Sequence, residues 1–137
     1  MKVEHIGIAV ENLSQAESLY AKLFQVDPYK REIIESEAVI TSFLKFGETK
    51  IELLQGTSDQ SAISKYIAKK GEGIHHIAYA VEDIYQEMSR LRNEGVRLLN
   101  EEPKLGADNK LICFLHPKDC GGVLVELCQD VRNTQGM

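Results

Sequence analysis

The sequence predicts an α+β fold of two tandem βαβββ modules related by a pseudo-twofold, and three observations carry that prediction. His5-Ile6-Gly7-Ile8-Ala9-Val10-Glu11-Asn12-Leu13 returns as His76-Ile77-Ala78-Tyr79-Ala80-Val81-Glu82-Asp83-Ile84. Ile51-Glu52-Leu53-Leu54-Gln55 returns as Val125-Glu126-Leu127-Cys128-Gln129 at nearly the same separation. Between the echoes, each copy passes from strand-like alternation to helical spacing and back to strands. Repetition of this kind marks a duplicated supersecondary unit. The 137 residues suit one domain with its own core. Residues 1–130 are expected to form it, with module one at 1–56, a linker helix at 57–71 and module two at 72–130. Residues 131–137 are expected to be a disordered C-terminal tail.

The first strand is expected from about Val3 to Val10. Alternation places His5, Gly7 and Ala9 on one face and Ile6, Ile8 and Val10 on the other. The Ile/Val face should pack under helices, whereas the small residues leave space beside the imidazole. The second copy does the same, with His76, Ala78 and Ala80 on one face. A single histidine on a strand is commonly structural. Two of them, each with small neighbours on its own face, point instead to ligands.

A helix follows each of these strands. Ser14-Gln15-Ala16-Glu17 reads as a capping box, and Ala16, Leu19, Tyr20, Leu23 and Phe24 recur at helical spacing. In the second copy Asp83 is the expected cap, Ile84, Met88 and Leu91 the apolar stripe, and Gly95 the residue just past the helix end. Further strands are expected near Glu32–Ile34, Val39–Phe46 and Lys50–Gln55. Ser61 to Lys70 reads as an amphipathic helix with Ile63, Tyr66 and Ile67 inward and Gly71 as its stop. The second module continues with a strand at Val96–Leu99, a polar loop from Asn100 to Asn109, and strands at Leu111–Leu115 and Gly122–Cys128.

Composition excludes several function classes. The net charge is −5 and no basic run occurs, which argues against a nucleic-acid partner. No apolar run is long enough to span a bilayer, so no membrane partner is expected. Met1-Lys2-Val3-Glu4-His5 enters the first strand directly, and no signal peptide is read there. Cys113, Cys120 and Cys128 form no Cys-x-x-Cys pair and read as reduced thiols of a cytoplasmic protein.

The chemistry centres on the two repeated glutamates. Each stands mid-strand among Leu, Ile and Val, where a buried, unpaired carboxylate would be very costly. The pseudo-twofold is expected to bring His5, Glu52, His76 and Glu126 into one cleft as metal ligands. Two imidazoles and two carboxylates with no thiolate suit Zn, Co, Ni or Mn, and Mg less readily. One such divalent ion is expected per chain, with two open positions for a bidentate oxygen substrate.

These modules resemble the vicinal-oxygen-chelate superfamily (glyoxalase, bleomycin resistance, extradiol dioxygenase). The resemblance rests on Glu4-His5-Ile6-Gly7-Ile8-Ala9-Val10, Gly47-Glu48-Thr49-Lys50-Ile51-Glu52-Leu53-Leu54 and Gly73-Ile74-His75-His76-Ile77-Ala78. Glu101-Glu102-Pro103-Lys104-Leu105-Gly106, Phe114-Leu115-His116-Pro117-Lys118 and Gly122-Val123-Leu124-Val125-Glu126-Leu127 are similar to the methylmalonyl-CoA epimerase branch. The resemblance implies a glyoxalase-like fold, a homodimer, methylmalonyl-CoA as substrate, and an isomerase that interconverts its (R) and (S) forms by metal-assisted α-proton abstraction through an enolate. It also implies His5, Glu52, His76 and Glu126 as the ligands. Alternation turns His75 to the opposite face, so His76 is the histidine assigned.

The acid/base groups are less evident. The strand Val39–Phe46 offers Thr41 and Ser42, which are not bases. Glu37, Glu52 and Glu126 are the expected catalytic carboxylates, the last two as ligands that loosen. Lys104, Lys110 and Lys118 are expected to contact the CoA moiety. Two other functions fit the same residues. One is a glyoxalase I-type lactoylglutathione lyase. The other is a non-catalytic small-molecule-binding protein of the same fold.

Overall fold

The computed structural model describes residues 1–131, so the expected tail lies outside the described residues apart from Val131. The chain divides into two compact units. One comprises His5–His75, and the other comprises Met1–Glu4 with the residues from His76 onward. In chain order the elements are β1 (Lys2–Ala9), α1 (Leu13–Phe24), β2 (Lys30–Ile34), β3 (Val39–Phe46), β4 (Thr49–Gly56) and α2 (Ala62–Lys70). They continue with β5 (Gly73–Ala80), α3 (Ile84–Asn93), β6 (Lys104–Leu105), β7 (Lys110–Leu115) and β8 (Val125–Asp130). Among the described residues, no helix is long and apolar enough to cross a membrane.

Both units use the same strand scheme. In the first, β4 runs parallel to β1, and β3 and β2 follow antiparallel in turn. In the second, β8 runs parallel to β5, followed by antiparallel β7 and β6. The sequence repeat is thus a repeat of topology, and each module is the expected βαβββ unit.

Each helix seals one face of its own sheet. Leu13 and Ala16 of α1 pack with Val10, Leu44 and Leu53, and partly buried Ile8 and Ile51 join them. Ile84 and Met88 of α3 pack with Cys113, Leu115 and Leu127. The linker helix α2 belongs with the first unit, where Ile63 covers Ala9, Val39 and Leu54, flanked by Tyr66 and Ile67. Ser61 caps α2 by accepting from the Ser64 amide at 3.0 Å, and Gly71 ends it. Asp83 caps α3 as expected, and Gly95 follows it with a positive φ of 87°.

Three expectations are corrected. The cap of α1 is Asn12, whose Oδ1 accepts from the Gln15 amide at 2.9 Å, and not Ser14. Asn caps at least as well as Ser, and Glu17 is engaged elsewhere. Val96–Leu99 forms no strand, only a single bridge from Leu98 to Leu115. The segment 100–109 is not all loop, since it holds β6 and a 3-10 turn at Ala107–Asn109.

The second echo gains a structural role that the sequence does not show. Gln55 accepts from the Leu13 amide at 2.6 Å, and Gln129 accepts from the Ile84 amide at 2.7 Å. Each glutamine pins the first turn of its module's helix to the strand that carries the repeated glutamate. Gln129→Ala should cost about 1–3 kcal/mol, because it strands a buried amide. Gln55→Ala should cost less at its part-buried site, and urea unfolding of both variants checks the order.

Glu17 ties α1 to the sheet. It takes the Arg31 Nε–H at 3.0 Å and the hydroxyl of buried Ser42 at 2.6 Å. The Arg31 guanidinium is the main cause that holds the Glu17 carboxyl below the usual carboxylate range, and Ser42 adds to it. A depressed folded pKa stabilises above the unfolded pKa and is lost as pH falls through the folded one. Glu17→Gln should therefore be less stable than the parent at neutral pH, by about 1 kcal/mol. The gap should close in acid, as paired melts across pH will read.

Candidate functional site

In the first unit the parallel register sets Gly7 beside Glu52 and Ala9 beside Leu54. His5, Gly7, Ala9, Glu52 and Leu54 therefore share one face of that sheet. Gly7 has no side chain to fill the space between His5 and Glu52. The two meet with Nδ1 3.2 Å from Oε2, each side chain only 5% exposed.

The second unit repeats the arrangement. Ala78 stands beside Glu126, and His76 Nε2 lies 3.4 Å from Glu126 Oε1, again with both side chains buried. The His76 ring meets Phe114 edge-on at 5.6 Å between centroids. Each unit thus buries one imidazole and one carboxylate in contact, on a face cleared by Gly and Ala. Imidazole nitrogen and carboxylate oxygen without thiolate are donors for a divalent ion, and the residues fit that group.

His75 differs from His76. It is half-buried and packs edge-on against Tyr66 at 5.0 Å. Burial lowers its pKa, which favours the neutral ring. It reads as a packing residue of the first unit.

The remaining expected site residues divide. Lys104 lies on β6 and is exposed, and it shares a face with Glu126 through the pairings Lys104 to Ile112, Ile112 to Cys128. Lys118 is exposed in the 3-10 turn Pro117–Asp119. Lys110 is buried, with its ammonium 3.7 Å from Asp130 Oδ2. Glu37 lies in the 3-10 turn Glu35–Glu37 and not on a strand, so alternation does not assign it to the face that carries Glu52.

Two residues on that face were not singled out from sequence as functional groups. Antiparallel pairing sets Glu32 opposite Thr41, and Thr41 opposite Leu54. Both therefore share the face of Glu52 and His5. The signal is the register of β2 on β3, which local alternation cannot supply. Ser42 faces the other way, toward Glu17.

The comparisons with known proteins follow this geometry. Residues 4–114 match the family model described as Glyoxalase/Bleomycin resistance protein/Dioxygenase superfamily. The chain is 39% identical over 130 residues to the ethylmalonyl-CoA/methylmalonyl-CoA epimerase of Cereibacter sphaeroides, covering 93% of this chain and 97% of that protein. It is 38% identical over 129 residues to the human mitochondrial methylmalonyl-CoA epimerase, covering 93% and 73%. Among solved structures, a variant of the Streptomyces coelicolor methylmalonyl-CoA epimerase in complex with 2-nitronate-propionyl-CoA superposes with a TM-score of 0.91 at 37% identity, covering 95% of this chain and 97% of that one. The methylmalonyl-CoA epimerase of Mycobacterium tuberculosis gives 0.92 at 33% identity, covering 99% and 92%. With its duplicated βαβββ units and a His–Glu pair in each, the chain belongs to the glyoxalase/bleomycin resistance protein/dioxygenase superfamily, and within it to the methylmalonyl-CoA epimerase family.

Proposed function

We propose that this chain interconverts (R)- and (S)-methylmalonyl-CoA, and that His5, Glu52, His76 and Glu126 together hold one divalent ion for that reaction. The observation that carries the reading is the repeated buried His–Glu pair. Family membership supplies the substrate class. Co, Zn, Mn and Ni all suit the donor set. When bound, such an ion supplies Lewis acidity that stabilises the negative charge developing on the thioester oxygen as the α-proton leaves.

The protein's own groups do the rest. Neutral imidazoles offer lone pairs to an ion, so the site is competent above the histidine range and weakens as the rings protonate. Glu37, Glu52 and Glu126 are the carboxylates to which we assign proton transfer, the last two as ligands that loosen. Lys104, exposed on the face of Glu126, is positioned to meet anionic parts of the CoA thioester, and Lys118 adds a second cation. Cys113 and Cys128, buried thiols that are not in a disulfide, are compatible with a reducing compartment, and we assign the chain to the cytoplasm.

The test is direct assay of the metal-loaded chain with methylmalonyl-CoA and, separately, with a glutathione hemithioacetal. Epimerisation of the first, with no lyase activity on the second, is expected. Lys104→Ala should raise KM more than it lowers kcat, since such a contact binds substrate and transition state alike. Lyase activity without epimerisation would overturn the reading.

A further inference from the structure

Phe114 faces both members of the second unit's His–Glu pair. It lies on β7 directly opposite Glu126 on β8. Its amide donates to Asn100 Oδ1 at 3.0 Å, and its carbonyl accepts from the Leu99 amide at 2.8 Å. Both backbone groups of Phe114 therefore point away from β8. That makes Phe114 and Glu126 a non-hydrogen-bonded pair, the kind in which facing side chains come closest, with Cα atoms about 4.5 Å apart. The Phe114 ring meets the His76 ring at an interplanar angle of 89°.

Phe43 is the counterpart in the first unit. It is separated from Phe114 by the same interval as His5 from His76, and it lies opposite Glu52 as Phe114 lies opposite Glu126. An aromatic ring across from each repeated glutamate is thus part of the duplicated unit. The surroundings of the two rings differ. Phe43 is fully buried, with the Tyr29 ring at 6.0 Å and the Lys30 ammonium 4.7 Å from its centroid. Phe114 is half-buried against Ala78, Ile112 and Cys128, with its ring at a right angle to His76.

We propose that Phe114 is a positioning residue for the ion site, resting on the metal-site reading above: its ring fixes the plane of the His76 imidazole and so aims the ring nitrogens. The χ2 torsion of a histidine has broad minima and does not set that plane by itself. A ligand nitrogen must nonetheless be held within a narrow range of angles. A perpendicular aromatic pair is a favoured geometry, and turning the imidazole out of it gives up the contact. Aliphatic bulk in the same place would exclude water without setting a plane.

Asn100 in turn holds Phe114. The two-residue β6 ends its ladder on β7 at Ile112. Beyond it the Asn100 carboxamide continues the pairing. It accepts the Phe114 N–H and donates to the Ile112 carbonyl at 3.4 Å and to the Glu102 carbonyl at 2.6 Å.

The experiment titrates Co2+ into the chain and its variants. Affinity is read by chelator competition, and the ligand field from the visible absorption of the bound ion. Phe114→Leu is expected to bind Co2+ about tenfold more weakly, as for other residues that orient a metal-ligating histidine, and to shift the visible bands. Phe114→Tyr keeps the ring and should stay within about twofold of the parent. Asn100→Ala should fall between the parent and Phe114→Leu, since Leu99 still holds the Phe114 carbonyl. Leu115, on the opposite face of β7, packs under α3 with Ile84 and Met88. Leu115→Ala should melt lower than the parent with unchanged Co2+ affinity, which separates orientation from loss of stability. In a His76→Ala background, Phe114→Leu should change Co2+ affinity by less than about twofold, because the partner it acts through is gone. Parental affinity and spectrum in Phe114→Leu overturn the proposal, and so does a loss of the same size that persists without His76. A parent that binds no Co2+ overturns the metal-site reading instead.

Discussion

His76→Ala should leave less than about a tenth of the parental divalent metal and cut kcat/KM about a thousandfold or more. Lewis-acid stabilisation supplies several kcal/mol, and each 1.4 kcal/mol is about a factor of ten. His5→Ala and Glu126→Ala should behave alike. The losses follow from the pairs, since removing one partner leaves the other buried alone: Glu126 without His76, or Glu52 without His5. His75→Ala is the control. Its ring packs on Tyr66, so metal content should hold while stability declines modestly. Metal analysis with kinetics on the four variants checks this. Metal lost from His75→Ala and kept by His76→Ala would place the ligand one residue earlier.

Leu53→Ala should destabilise the chain by about 3 kcal/mol, within the usual range for a buried leucine. Leu53 is fully buried beneath α1 with Leu13, Ala16 and Leu44. It is also the next residue after Glu52, pointing to the opposite face of β4. Under folding conditions Leu53→Ala should therefore keep its metal and most of its activity. Glu52→Gln should do the reverse, holding near-parental stability while its chemistry changes. Denaturant melts beside metal analysis test whether the two faces of β4 separate fold from function.

Much of this was legible in the sequence because the relevant signals are local. His5 and Glu52 are picked out by their repeats at His76 and Glu126, and alternation alone separates His76 from His75. The cap at Asp83 was legible for the same reason, since the capping bond reaches three residues. Asn12 and Ser14 compete for the start of α1 within one turn. What decided between them was the distant partners of Glu17. The strand expected at Val96–Leu99 reduces to a single bridge, whereas the two-residue β6 is too short for alternation to show. Glu32 and Thr41 were hidden for another reason. Which residue of β2 faces which residue of β3 is set by register, and the burial of Thr41 shows only once the sheet is assembled.

The central claim is that this chain breaks and remakes the Cα–H bond of methylmalonyl-CoA at a site that depends on its His–Glu pairs. The most direct measurement incubates each epimer separately with the metal-loaded chain in D2O and follows deuterium at Cα together with configuration. The account predicts that either epimer takes up one deuterium and yields both configurations, and that chelation of the metal or His76→Ala stops both. Neither exchange nor inversion by the metal-loaded chain, or exchange undiminished in His76→Ala, would contradict it.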